Sequence, residues 1–300
     1  MPSSKRAFWL YPLFKVPLLA LIGCLIALTL FGLLGLGRPR VAVSIALDLS
    51  NSTYQSQLFN APGTVMHQEV QAVQSYLQKN SQQLRTPNQI QVFGFGGAVQ
   101  PLVGSFQTDS EKIETDLLKA LKDPALPKAV QPSQTNLNLV TRRGIDELIA
   151  MNGYCRELLL VTDGQTPLSQ DLINEAVSSR IKLNSVIVGA EAAALQNAAI
   201  ATNGIYLANA ARNLDELFTE KLFVQFNTNI RWIIFWLGAA WIAFVWMLTL
   251  PLDRWIFQRM LKLPMHLAGK LALSHSLFWT TTTLIVIWRL TSGIPFISQC

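Results

Sequence analysis

The sequence predicts an α/β domain with a doubly wound, mostly parallel sheet, joined to three transmembrane helices. Three observations predict it. Of the 300 residues 50% are hydrophobic and only 14% charged, where a soluble domain has about a quarter charged. The formal net charge of +6 is unevenly distributed: residues 41–220 carry net −5, while the flanks carry +11 and all eight tryptophans. Within the acidic centre, apolar β-branched runs alternate with segments of helical spacing, as in a parallel sheet with crossover helices. Basic and indole side chains collect at bilayer interfaces. The overall pI of about 9.3 therefore reports membrane flanks, and a nucleic-acid partner is not expected.

Three stretches are apolar enough to span. Val16–Gly37 carries no charge and would extend about 30 Å as a helix. Trp232–Leu250 lies between Arg231 and Pro251. Leu271–Trp288 lies between Lys270 and Arg289 and holds His275 and four consecutive threonines, which can bond back to their own helix carbonyls. A cleavable signal peptide is the alternative for the first stretch. Its apolar run is longer than a usual signal core, and Gly35-Leu36-Gly37 is a poor cleavage site, so a retained anchor is expected. The domains are thus residues 1–40 (cytoplasmic tail and anchor), 41–223 (the α/β domain) and 224–300 (two spans near 231–250 and 271–289, with a basic connecting loop). Lys5, Arg6, Lys15, Arg254, Arg259, Lys262 and Lys270 would lie on one side, and Arg38, Arg40, Lys221, Arg231 and Arg289 on the other. Seven against five places the N-terminus and the 251–270 loop in the cytoplasm and the α/β domain outside it. That loop reads either as a solvated connector or as an interfacial helix with Arg254, Gln258 and Lys262 on one face.

The central elements follow in order. Val41–Ser50 is a continuous apolar run, as expected of a buried parallel strand. His67–Asn80 has helical spacing, with Val70, Val73 and Leu77 on one face. Gln89–Gly97 and Ala98–Phe106 read as two strands joined at a glycine pair. A helix from Ser110 to Lys122 leads into a proline-punctuated loop (Pro124, Pro127, Pro132), then a helix over Asn136–Met151. Strand Glu157–Thr162, helix Leu168–Arg180, strand Leu183–Val188, an Ala-rich helix from Glu191, strand Gly204–Leu207 and helix Asn213–Phe223 complete the domain.

Ligands of open α/β sheets bind beyond the carboxyl ends of the strands. There the first strand presents Asp48, Ser50 and Ser52, a later loop presents Thr135, and the fourth strand ends in Thr162-Asp163-Gly164. All the donors are oxygens, suited to a hard divalent cation such as Mg²⁺. Each piece taken singly reads as a helix cap or a turn; all of them in order at one sheet edge read as a site.

With these residues the sequence resembles the von Willebrand factor A (vWA) domain over most of residues 41–220. That family's metal-ion-dependent adhesion site has the pattern D-x-S-x-S, then T, then D-G. The resemblance implies that Ser50, Ser52 and Thr135 bind Mg²⁺ (or Mn²⁺ or Ca²⁺) directly. Asp48 and Asp163 would act through bridging water, and a protein partner would supply an Asp or Glu. Ser133-Gln134 stands where many relatives have glycine. Membrane-tethered bacterial vWA proteins of the Bat type imply a role in assembly or maintenance of an envelope complex. Two alternatives are a membrane-complex subunit whose spans carry the main role, and a partner of a cytoplasmic AAA+ or chelatase-type ATPase. His67, His266 and His275 have no zinc-ligand spacing. Cys24, Cys155 and Cys300 assign no redox compartment. Neither a phosphate-binding loop nor a nucleophile elbow stands in context, so an enzyme is not expected.

Overall fold

A computed structural model describes residues 11–54, 64–163, 166–188, 191–208 and 213–291. The chain divides into residues 39–227 and a second unit formed by the chain on either side. In the first, the order is β1 (Val41–Asp48), α2 (Val65–Gln83), β2 (Gln89–Phe95), β3 (Val99–Gln107), α3 (Ser110–Leu121), α4 (Leu126–Val130), α5 (Leu137–Ile149), β4 (Cys155–Thr162), α6 (Gln170–Ser178), β5 (Ile181–Ile187), α7 (Ala193–Ala201), β6 (Tyr206–Leu207), α8 (Leu214–Glu216), a π-helical stretch Leu217–Leu222, and α9 (Phe223–Phe226). The second unit holds α1 (Pro12–Leu34), α10 (Ile230–Pro251) continued by a π-helical stretch Leu252–Met260, and α11 (Met265–Thr291).

The sheet order is β3-β2-β1-β4-β5-β6. All pairings are parallel except the β2–β3 hairpin. β1 is central and buried on both faces, which explains its unbroken apolar run. Alternate side chains enter separate cores. Val41, Val43, Ile45 and Leu47 meet α2, α3 and the helical segments over 214–226. Ala42 and Ala46 meet α5, α6 and α7. The sheet runs to β3 on one side of β1 and to β6 on the other, so the switch point lies between β1 and β4.

The segment read as a proline-rich loop contains α4. Pro127 sits in its first turn, where a missing N–H costs no helical bond and the fixed φ suits the helix.

In the second unit the described helices are long and apolar enough to cross a membrane. Asn229 Nδ2 donates to Phe31 O (2.7 Å) and Leu36 O (2.8 Å), while the Arg254 guanidinium lies over the Tyr11 ring at 4.5 Å. The start of α10 therefore meets the end of α1, and the first turn beyond Pro251 meets the start of α1, so the two run antiparallel. The 251–270 segment, read as either a connector or a helix, is largely helical: helix continues to Met260 and resumes at Met265. Pro251 has no N–H to donate, yet the helix runs on: Leu252 N–H donates to Leu248 O, and π geometry follows over Leu252–Met260, closing with Leu261 N–H to Ile256 O at 2.9 Å. The threonine run bonds back as expected, Thr280 to Ser276 O at 2.8 Å and Thr283 to Trp279 O at 2.7 Å. Trp246 Nε1 donates to Thr280 Oγ1 (3.0 Å), and Thr249 and Ser276 hydroxyls lie 2.7 Å apart, joining α10 to α11.

Candidate metal centre

Asp48, the last residue of β1, is fully buried. Its Oδ1 accepts the Ser50 N–H at 2.9 Å and its Oδ2 accepts the Thr162 hydroxyl, so both oxygens are held. Burial pushes its carboxyl above the ordinary carboxylate range; the bonds from Thr162 and Ser50 oppose that shift, and the charge of Asp163 adds to it. The chain then turns sharply. Thr53 and Tyr54 N–H groups both donate to Ser50 O, at 3.1 and 2.9 Å, and Thr53 Oγ1 donates to Asp48 O. Tyr54 OH anchors the turn to Leu121 O at 2.9 Å. This turn brings the Ser50 and Ser52 hydroxyls within 3.0 Å of each other, with Ser50 buried and Ser52 exposed. The result is a bonded hydroxyl pair, one buried and one exposed, next to a locked carboxylate.

The second loop is strapped to the first. Asn51 N–H donates to Pro132 O at 2.9 Å, Gly97 N–H to Gln131 O at 3.0 Å and Asn136 N–H to Gly96 O at 2.8 Å. The β2–β3 glycine turn therefore cradles the loop that carries Thr135. A Cβ on Gly96 would lie 2.7 Å from Val130 O, a separation that side chains do not tolerate, so this close approach requires glycine. Gln131 takes the left-handed conformation, φ 54°. Ser133 and Gln134 do not, so the loop turns without glycine at either position. Thr135 is half-buried, and its carbonyl accepts Thr166 Oγ1 at 3.3 Å. Asn136 caps α5 through the Leu139 N–H at 3.0 Å.

Asp163 follows β4 directly and is half-buried; Gly164 lies outside the described residues. In register, Leu47 of β1 pairs with Val161 of β4, so Asp48 and Thr162 are the next neighbours across the switch point. Asp48, Ser50, Ser52, Thr135 and Asp163 thus occupy three loops at one sheet edge. Two features escaped sequence reading. Thr162 orients Asp48, a role its place beside Asp163 and opposite Asp48 in the parallel register would have signalled. Gly96 braces the Thr135 loop as well as turning the hairpin.

The donor set suits a small hard cation: hydroxyls first, with carboxylates behind them. Among the described residues, no three His, Cys, Asp or Glu side chains gather as a metal-binding group, so the hydroxyls of Ser50, Ser52 and Thr135 are the donors to weigh here.

No family model and no curated protein matches the sequence. Similar solved structures include an aerotolerance-related membrane protein from Bacteroides fragilis (17% identity over 60% of this chain and 96% of that one, TM-score 0.46). Others are a von Willebrand factor type A protein from Catenulispora acidiphila (14%, 63% and 43%, 0.48) and the conserved hypothetical protein BatB from Bacteroides thetaiotaomicron (14%, 62% and 99%, 0.45). The strand order with its single antiparallel hairpin strand, and the D-x-S-x-S turn at the switch point, decide the architecture. The domain has a doubly wound, mostly parallel α/β fold like that of vWA and Rossmann domains. In it Asp48, Ser50, Ser52, Thr135 and Asp163 fall at the carboxyl end of the sheet.

Proposed function

We propose that the chain is a membrane-anchored vWA binding module that captures a protein partner's carboxylate through a divalent cation, in assembly or maintenance of a membrane or envelope complex. The Ser50–Ser52 hydroxyl pair, 3.0 Å apart and reaching from the buried Ser50 to the exposed Ser52 beside the locked Asp48, supports this reading. Ser50, Ser52 and Thr135 would hold Mg²⁺, Mn²⁺ or Ca²⁺, with Asp48 and Asp163 acting through water. When bound, the ion offers an open coordination position to an incoming Asp or Glu. The chain's own residues keep that position accessible: Ser52 is exposed, and Asp48 has both carboxylate oxygens occupied by donors of the domain. A carboxylate so engaged is a structural brace rather than a general base, which favours binding over catalysis. Loops 51–66, 123–134, 164–170 and 189–193 would set specificity; residues 55–63, 164–165 and 189–190 of these lie outside the described residues.

The spans would retain the module in a bacterial membrane, with the vWA domain on the extracytoplasmic side. Cross-linking in membranes followed by affinity capture of the full chain, with and without chelator, tests the reading. A partner is expected to be retained by the wild type with Mg²⁺, and lost with chelator or with Asp48→Ala. Equal retention under all three conditions would contradict it.

A further inference from the structure

The end of the α/β domain opposite the candidate metal centre, where the parallel strands begin, has a chemistry of its own. Its connections are residues 35–40, 84–88, 108–109, 150–154, 179–180, 202–205 and 227–229. They carry Arg38, Arg40, Arg85 and Arg180 against one acid, Asp109, although residues 41–220 are net −5. Arg85, Arg40 and Arg180 precede β2, β1 and β5, within one row of neighbouring strands. All three are exposed, and none forms an ion pair among the described residues. Of the described residues in 39–227, the exposed large apolar side chains are Leu139, Ile149, Val177, Ile200 and Val224. Single exposed aliphatics are ordinary, but all of these except Leu139 lie in the last turns of α5, α6, α7 and α9. Those turns sit at the strand-entrance end. Arg156, near the start of β4, gathers the ends of α5 and α6: Nη2 donates to Ile149 O at 3.0 Å and Nη1 to Ser179 O at 3.1 Å. Leu183 N–H donates to Thr202 Oγ1 at 3.0 Å, fixing the end of α7 beside β5. Phe223 of α9 meets the Tyr76 ring at 5.5 Å, and the Tyr76 hydroxyl accepts from Asn88 Nδ2 at the entrance to β2.

The chain also enters and leaves the domain at this end. Residues 35–40 join α1 to β1 and residues 227–229 join α9 to α10, connections that reach at most about 22 Å and about 11 Å. Arginines set among aliphatics suit a lipid headgroup layer, whose phosphates attract the cations and whose interface accepts the apolar side chains. We propose that the strand-entrance end of the domain is a lipid-contact surface. Arg40, Arg85 and Arg180 bind the phosphates of anionic headgroups, and Ile149, Val177 and Ile200 enter the interfacial layer. The occupant is the bilayer that α1 and α10 cross, so the proposal rests on their spanning it and is independent of the cation site. Docking has a consequence for that site. β1 is eight residues long, about 26 Å, so the contact holds Ser50 and Ser52 that far from the headgroups, open to a partner.

The test is photo-crosslinking of the full chain in nanodiscs of phosphatidylcholine and phosphatidylglycerol, with a diazirine beside the headgroup of one lipid or of the other. Labelled peptides are identified by mass spectrometry. Wild type should be labelled over 149–156, 177–182 and 200–205, more strongly by the phosphatidylglycerol probe. Arg85→Gln and Arg180→Gln should each lower labelling by that probe about fivefold. Their melting temperatures should stay unchanged, since both side chains are exposed. Ile200→Ser, which keeps the charges, should lower labelling by both probes. Equal labelling by the two probes, unaltered in the arginine variants, would show a surface brought near lipid by its connections alone and would overturn the proposal. Absence of label from these segments would overturn it too. Ser50→Ala and chelator should leave the labelling as in wild type, so failure of the cation site and failure of the lipid surface are read separately.

Discussion

At the residue scale the site is a set of side chains held by specific bonds, and each bond has a measurable consequence. Thr162→Val keeps the shape of the side chain and removes the donor to Asp48 Oδ2, leaving a buried acceptor without that bond. It should lower unfolding stability by about 1–3 kcal/mol in urea titrations; a loss below a few tenths would show that the bond is not needed. Gly96→Ala forces a Cβ against Val130 O and should cost about 1–3 kcal/mol, with weaker Mn²⁺ binding because the Thr135 loop must shift. Glu157 provides a pH signature away from the site. It is buried in β4, with Lys182 Nζ and Asn184 Nδ2 each 2.9 Å away. Burial raises its carboxyl above the ordinary range despite both donors. The native state then binds the proton more tightly than the unfolded chain. Its contribution is full below the unfolded value of about 4.3 and is lost as pH rises through the higher folded value. Glu157→Gln should flatten the decline of stability with rising pH above about 4.3; an unchanged slope would assign the dependence to other groups.

At the element scale, much of the domain was legible because its signals are local. The Val41–Asp48 run and the Gly96–Gly97 turn each state their structure within a few residues. What was missed depends on longer context. α4 is only five residues long, and its prolines read as a loop until neighbours pack Leu126 and Val130 into the core. The π-helical continuation past Pro251 requires knowing that the helix persists, which no period of 3.6 reveals. Thr162 was missed for a related reason: sheet register sets it beside Asp48, and no spacing along the chain shows that. Between the spans, Gly238 lies against Ile287 and Thr283, and an added Cβ would come 2.3 Å from Ile287 Cδ1. Gly238→Ile should therefore separate α10 from α11 and lower the melting temperature of the full chain in detergent. No change would mean that the helices part readily there.

At the scale of the whole molecule, the charge balance is a statement about layout. A net charge of +6 resolves into basic, tryptophan-rich flanks and an acidic α/β domain inserted in sequence between α1 and α10. Antiparallel α1 and α10 put Lys15, Arg254, Arg259 and Lys262 toward one end of the helical unit, the end expected to face the cytoplasm. A reporter fused at Gln100 should be active only on the extracytoplasmic side; cytoplasmic activity would favour an ATPase partner instead. Exchanging the spans for unrelated ones separates a tethered binding module, which should keep its function, from a subunit that works through its helices, which should lose it. The central claim is that the vWA domain binds a divalent cation at Ser50, Ser52 and Thr135. Its most direct test is the thermal unfolding of the full chain in detergent with Mg²⁺ or Mn²⁺ and with chelator. A ligand at a hundred times its Kd stabilises the folded state by about 2.7 kcal/mol, which for a domain of this size is a rise of about 5–10 °C. The account predicts that rise in the wild type and its absence in Asp48→Ala; a wild-type melting temperature indifferent to the metal would contradict it.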